Sequence, residues 1–331
     1  MRPGVLVARA VFPEVVERLR EHFEVEVNLD DDLWTPLEFA TRLQGKQGAM
    51  TFGGERIDAV LLAACPKLRV VANMMVGYNN FDIAACTAHH VLATNTPDVL
   101  TETTADFGFA LMMATARRMA EAEAFLRRGE WLKWSHDLLT GSDVYGATLG
   151  ILGMGRIGQA IARRGALGFG MKVLYHNRNR LSAEAEAAIG ARWVSKADLL
   201  AQADHLMLVL PYSADTRHAI GAAELLQMKP SATLTNIARG GIVDDAALVH
   251  ALREGRIAAA GLDVFEAEPG LHPGLLALSN VVLTPHIASA STATRRAMAE
   301  LAADNLIAAL TGGHPPTPIN PEVLQSGKLR D

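Results

Sequence analysis

Cysteine is scarce in this chain, with only Cys65 and Cys86 among 331 residues, which excludes a small fold stapled by disulfides. Neither thiol has a neighbour whose type and spacing suggest nucleophilic or zinc chemistry, so both are expected to pack in a core. No basic stretch leading into an apolar run opens the sequence, so an unprocessed protein of the reducing cytoplasm is expected, with no membrane partner. Charge of one sign is lacking too: a formal net charge of −5 gives no basis for a nucleic-acid surface. Also missing are repeats of solenoid period, low-complexity linkers and any HxxxH or carboxylate spacing that would hold a metal.

What the chain does have is apolar content, 50% of its residues, enough for a large core, and a length that suggests about two domains. Short apolar runs alternate with amphipathic stretches from the start. Val5 to Ala8, Ala49 to Phe52, Val70 to Asn73 and Leu92 to Asn95 read as strands, separated by helical segments such as Pro13 to Glu21, Pro36 to Leu43 and Ile57 to Ala64. A small doubly wound parallel-sheet domain is the expectation. One long helix is expected from Thr101, as N-cap, to about Arg128. A second set of strands follows at Thr148 to Leu152, Lys172 to Tyr175, His205 to Leu210, Thr233 to Ile237, Gly261 to Val264 and Val281 to Thr284. The last helix, Thr292 to Leu310, is expected to stop at Gly312-Gly313.

Gly153-Met154-Gly155-Arg156-Ile157-Gly158 sits between one of these strands and the helical run Gln159-Ala160-Ile161-Ala162-Arg163. In that context a GxGxxG sequence predicts the opening of a dinucleotide-binding βαβ unit. The glycines let the backbone approach a pyrophosphate at the helix N-terminus. A site that prefers NADH usually carries an Asp or Glu about 20 residues on, to hold the ribose 2′-hydroxyl. Here the segment reads Tyr175-His176-Asn177-Arg178-Asn179-Arg180. An amide holds the acid's place, and Arg178 and Arg180 are expected to bond a 2′-phosphate, so NADPH is preferred, with NADH possible. The bland alternative is two solvated arginines in a surface loop.

Ligands of doubly wound sheets bind at the C-terminal ends of the strands, and three successive strands here end in charge. Asn236-Ile237-Ala238-Arg239-Gly240-Gly241 brings Arg239, Asp263-Val264-Phe265-Glu266-Ala267-Glu268-Pro269 brings Glu268, and Thr284-Pro285-His286-Ile287 brings His286. Reduction of a 2-oxo acid needs a cation for the carboxylate and an acid to protonate the carbonyl oxygen, opposite a hydride donor. Arg239 suits the first need and His286 the second, with Glu268 orienting the ring and favouring its charged form. His89-His90, His176 and His218 read as surface or loop residues.

With these motifs in order, and with Val76-Gly77-Tyr78-Asn79-Asn80-Phe81-Asp82 ahead of them, the chain resembles the D-isomer specific 2-hydroxyacid dehydrogenase family over essentially its whole length. The resemblance implies a Rossmann NAD(P)-binding domain at 100–287 inserted into a flavodoxin-like substrate domain made of 1–99 and 288–331. It implies Arg239, Glu268 and His286 as catalytic residues, and the backbone at Val76 and Gly77 as a further holder of the substrate carboxylate. It further implies that Asp263 contacts the nicotinamide carboxamide and that Thr104 and the Leu210-Pro211 turn border the cofactor. Ile237 and His286 join the cofactor set with Gly153, Gly155, Arg156, Ile157, Gly158, Asn177 and Arg178, and a homodimer through the cofactor domains is implied as well.

Within the family the chain is most similar to the glyoxylate, hydroxypyruvate and 2-ketogluconate reductases, which typically use NADPH. Some of these place a tryptophan, reaching into the neighbouring subunit's site, where Leu138 stands here. Phosphite dehydrogenase is similar around Ala64-Cys65-Pro66-Lys67-Leu68-Arg69-Val70-Val71, but it requires a lysine where this chain has Val76, one cation short for that oxyanion. The alternative from another class is a sensor that binds NADPH without turnover, which would have no need of Arg239, Glu268 and His286 together.

Overall fold

The computed structural model describes residues 2–325. The chain divides into two compact units, one formed by Met1–Leu100 with Ala290–Asp331, the other by Thr101–Ser289.

The first unit carries five parallel strands: β1 (Gly4–Val7), β2 (Glu24–Val27), β3 (Gly48–Thr51), β4 (Val70–Asn73) and β5 (Leu92–Thr94), in the order β2-β1-β3-β4-β5. Strands covered by helices on both faces should read as unbroken apolar runs, and β3, β4 and β5 are buried at every position. The strand β2 is absent from the sequence reading: Glu24-Val25-Glu26-Val27 is only four residues, half of them acidic, and lies half exposed at the sheet edge. The helix Thr292–Thr311 closes this unit. Its Ala299, Ala302, Ala303 and Leu306 bury against Val5, Met50, Val70 and Ala72 of the sheet, and a fully buried leucine contributes about 1.5–3 kcal/mol. Ser291 caps its start, and Gly312, at φ 84°, ends it where the sequence predicts a stop. Beyond it Asn320 accepts from the Ala93 amide at 2.8 Å and donates to the Val91 carbonyl at 3.0 Å, tying the returning chain to β5.

The second unit is a seven-stranded parallel sheet: β6 (Thr148–Leu152), β7 (Lys172–His176), β8 (Ala191–Trp193), β9 (His205–Leu208), β10 (Thr233–Asn236), β11 (Ala259–Leu262) and β12 (Val281–Leu283). The order β12-β11-β10-β9-β6-β7-β8 reverses direction between β6 and β9. The edge strand β8, only three residues with two exposed, is another that the sequence reading omits.

The expected single helix from Thr101 to Arg128 is two helices, Thr101–Ala116 and Met119–Arg127. Thr101 is the first helical residue rather than the cap. The break lies at Arg118, which takes a left-handed φ of 53°. Residues far along the chain fix it: Ser142 N donates to the Ala116 carbonyl at 2.8 Å, and Arg118 reaches Thr140 O at 3.3 Å while pairing with Glu121. Alanine-rich helix propensity cannot encode a stop imposed by tertiary hydrogen bonds. Both cysteines are free and buried, and burial pushes the Cys86 thiol up to about 12.

Candidate active site

The loops that follow β6 and β9 meet where the strand order reverses. Gly153 has φ 104°, and a Cβ there would lie 2.6 Å from the Val209 carbonyl carbon and 2.7 Å from Leu210 N, so only glycine admits this contact. A Cβ on Gly158 would lie 2.3 Å from Gly153 O, which is how closely the helix Arg156–Arg163 approaches the turn, whereas a Cβ on Gly155 would meet nothing within 4 Å. An open cradle beside a helix N-terminus fits a pyrophosphate. Thr104 contributes a buried Oγ1 with no hydrogen-bond partner among the described residues, a group that a bound molecule would satisfy. The Leu210-Pro211 turn follows β9, with Leu210 packed against the adjoining core.

After β7, the Asn177 Oδ1 accepts from Met154 N at 2.7 Å, so the residue in the acid's place clamps the glycine turn. Arg178 is exposed. Arg180 departs from expectation: its Nε and terminal nitrogen bond both oxygens of Glu186, at 2.9 and 2.6 Å, which commits the guanidinium to a neighbouring helix rather than to a phosphate. His176 ends β7, half-buried, with Nδ1 at 2.9 Å from Val194 O, and His218 lies in a turn, half-buried, with Nε2 at 2.5 Å from Glu266 Oε1.

After β10, Asn236 shapes the turn that carries Arg239, accepting from Ala238 N at 3.0 Å and donating to Arg239 O at 3.2 Å. Ile237 is buried beneath it. Burial pushes the Arg239 guanidinium below its ordinary value, and the nearby Glu268 carboxylate opposes that shift. A Cβ on Gly240 would fall 1.7 Å from Phe265 O, so the loops after β10 and β11 are in contact there. Glu268 closes its own turn by accepting from Phe265 N at 2.9 Å, and its other oxygen lies 2.8 Å from His286 Nδ1. Burial raises the Glu268 carboxyl, but hydrogen bonding to His286, its charge, the Phe265 amide and Arg239 together hold it below the usual range.

His286 itself has φ 55°. Asp263, fully buried, imposes this: Oδ1 accepts from Thr284 Oγ1 at 2.7 Å and Ile287 N at 2.9 Å, Oδ2 accepts from Ala288 N at 2.9 Å, and His286 N donates to the Asp263 carbonyl at 2.9 Å. Burial pushes this carboxyl up despite its three donors. Sequence reasoning gives Asp263 only a cofactor contact and misses this latch. The sole signal for it was an Asp ending an apolar strand.

Thus the second unit brings Glu268 against His286, sets Arg239 one strand away with its charge felt at Glu268, and places the glycine turn and Asn177 together. In the first unit Val76 and Gly77 lie in the loop after β4, their carbonyls taken by Asn95 Nδ2 at 2.7 Å and Asn73 Nδ2 at 2.8 Å. Among the described residues no His, Cys, Asp and Glu group could hold a metal, and no helix is long and apolar enough to cross a membrane.

A parallel sheet with a glycine turn at its reversal point, and with a His–Glu pair and an arginine at the next strand ends, defines a nicotinamide-dependent oxidoreductase. Comparison with known proteins gives the family. Residues 109–288 match the model of the D-isomer specific 2-hydroxyacid dehydrogenase NAD-binding domain. The chain is 50% identical to the glyoxylate reductase of Thermococcus onnurineus, over 99% of both chains. Two solved structures superpose closely. One is a Thermus thermophilus protein (TM-score 0.88, 42% identity, 96% of this chain and 99% of that one). The other is the NADPH-dependent glyoxylate/hydroxypyruvate reductase of Sinorhizobium meliloti in complex with NADP and malonate (TM-score 0.85, 39% identity, 96% and 97%). The chain belongs to the D-isomer specific 2-hydroxyacid dehydrogenase family, on its glyoxylate reductase branch, and is an NAD(P)-dependent 2-hydroxyacid dehydrogenase.

Proposed function

We propose that this protein reduces a small 2-oxo acid of the glyoxylate, hydroxypyruvate or 2-ketogluconate type to the D-2-hydroxy acid, with NADPH preferred over NADH. The Glu268–His286 pair at 2.8 Å carries the reading. With Nδ1–H held by the carboxylate, the ring presents Nε2 to substrate, and in its charged form it gives the Nε2 proton to the carbonyl oxygen. Arg239 binds the substrate carboxylate as a planar fork, and the loop at Val76 and Gly77 is proposed to add backbone amides to it. The cofactor, when bound, supplies the hydride to the carbonyl carbon. Gly153, Gly155, Arg156, Ile157 and Gly158 would hold its pyrophosphate, Thr104, Leu210, Pro211, Ile237 and Asp263 its nicotinamide end, and Asn177 and Arg178 its adenosine end.

Preference for NADPH is supported by the absence of an acid at Asn177 and by exposed Arg178 beside it, and the Sinorhizobium relative is itself NADPH-dependent. A homodimer is supported by the helix Met119–Arg127, which buries none of its residues within the chain, and by exposed Met119, Leu126, Trp131, Leu132 and Trp134 on it and just beyond. The test is steady-state reduction of the three 2-oxo acids with each cofactor. A kcat/KM higher with NADH would refute the cofactor assignment, and no turnover with any of them would refute the reaction.

A further inference from the structure

The loop from Asn177 to Leu181 is held at both ends and left open in its middle. At one end Asn177 accepts from Met154 N through its side chain and from Trp193 Nε1, at 3.2 Å, through its carbonyl. At the other, Leu181 N donates to the Tyr175 hydroxyl at 2.8 Å. Tyr175 is fully buried in β7, and its hydroxyl donates to Glu186 Oε1 at 2.7 Å. Glu186 is buried as well and receives Arg180 on both oxygens. Arg178 and Asn179, between these clamps, are exposed.

The chemistry of this cluster asks for an explanation. Phenylalanine would fill the same core volume, and a buried hydroxyl and carboxylate carry a desolvation cost that only a full set of partners offsets. Here they bond each other, the loop between them at Arg180 and Leu181, and, from Glu186, the Trp193 backbone amide. A bare carboxylate beneath that loop would also repel a phosphate, and the paired Arg180 cancels it.

We propose that Tyr175, Glu186 and Arg180 form a brace that fixes the Asn177–Leu181 loop so that Arg178 is preorganised for the 2′-phosphate of NADPH, with Tyr175 and Arg180 as positioning residues that set cofactor specificity. The proposal rests on the NADPH reading. Preorganisation lowers the entropic cost of forming a charge-assisted contact, so loss of the brace acts on NADPH alone and only while Arg178 is present.

The experiment is a double-mutant cycle of Tyr175→Phe and Arg178→Ala, read as the Kd of NADPH and NADH by fluorescence, the steady-state constants and the melting temperature. Tyr175→Phe is expected to raise the Kd and KM for NADPH about five- to tenfold, with kcat at saturating NADPH and the KM for the 2-oxo acid kept, and with NADH affinity changed less than about twofold. In the Arg178→Ala background the same substitution should change NADPH affinity by less than about twofold. Arg180→Ala, at a side chain 62% exposed and so tolerable to the fold, is expected to give the same selective loss, partly restored in Arg180→Lys. Equal loss for both cofactors, undiminished loss in the Arg178→Ala background, or unchanged NADPH binding in Tyr175→Phe and Arg180→Ala would each overturn the brace. The underlying reading is judged separately, by the wild-type ratio of NADPH to NADH affinity and by Arg178→Ala alone.

Discussion

Replacing Asp263 by Asn keeps the shape of the buried side chain and changes only what its second oxygen position can do. Oδ1 serves two donors, Thr284 Oγ1 and Ile287 N, and Oδ2 serves Ala288 N. The amide of Asn therefore settles with its oxygen at the first position, and its NH2 group meets the Ala288 N–H donor to donor. One charge-assisted bond is lost and a buried amide is stranded, about 1.5–3 kcal/mol, and the two surviving bonds weaken with the charge. Burial already pushes the Asp263 carboxyl up, so removing the charge recovers part of that desolvation and brings the net to about 2–3 kcal/mol. In a unit of this size that lowers the melting temperature by roughly 4–12 °C. The turn so loosened is the one that gives His286 its φ of 55°, and a displacement of about 1 Å at a reacting group can cost about a hundredfold. The assays are thermal unfolding by circular dichroism and single-turnover reduction of glyoxylate at saturating cofactor. An Asn variant with wild-type melting and turnover would refute the latch.

Arg178→Ala combined with Asn177→Asp should move preference toward NADH, since Asp retains an oxygen for Met154 N while costing NADPH about 2–4 kcal/mol in lost contact and repulsion; an unchanged ratio of kcat/KM for the two cofactors would contradict this. Arg239→Lys keeps a charge and loses the fork, so KM for the 2-oxo acid should rise and kcat fall together, whereas His286→Gln should abolish turnover yet keep NADPH binding visible by fluorescence. In Glu268→Gln the carboxylate oxygen that lies 2.8 Å from His286 Nδ1 becomes a neutral amide, so the ring is held less firmly and reductive kcat should fall while NADPH binding is kept; an unchanged kcat would leave Glu268 a packing role. Glu186 is held down to about 2 by Arg180 and Tyr175, so its contribution to stability is complete above the unfolded value near 4.5 and is lost as pH falls toward 2. Wild type and Glu186→Gln should accordingly differ in melting temperature at pH 6 and converge near pH 2, and a difference that persists there would speak against the pairing.

Both sheets were legible because parallel strands buried on two faces leave apolar runs with turn residues between them, as at Val70–Asn73 and His205–Leu208. Two edge strands were not, since Glu24–Val27 is four residues and half exposed and Ala191–Trp193 is three residues with two exposed, whereas the apolar edges Leu92–Thr94 and Val281–Leu283 were. Within the site, the order of Arg239, Glu268 and His286 at successive strand ends could be read directly, because position along a doubly wound sheet follows from strand order. The partners of each side chain could not. Arg180 looked like a phosphate ligand until Glu186, on the following helix, engaged its Nε and one terminal nitrogen, and the grip of Asp263 on Thr284, Ile287 and Ala288 spans two strands. Such pairings are set by three-dimensional approach, which periodicity does not record.

The first unit is built from the two ends of the chain, and the second from its uninterrupted middle. On the ribosome this imposes a sequence of events. When Leu100 emerges, the faces of β1, β3 and β4 that will receive Ala299, Ala302, Ala303 and Leu306 are still bare, and about 200 residues must be made before they are covered. At roughly 5–20 residues per second that interval is about 10–40 s. The middle unit has all its strands in one stretch and can be complete first, while the earliest-made sheet waits for the last helix. Nascent-chain aggregation and chaperone capture should therefore concentrate on the N-terminal hundred residues and cease once Thr311 leaves the exit tunnel.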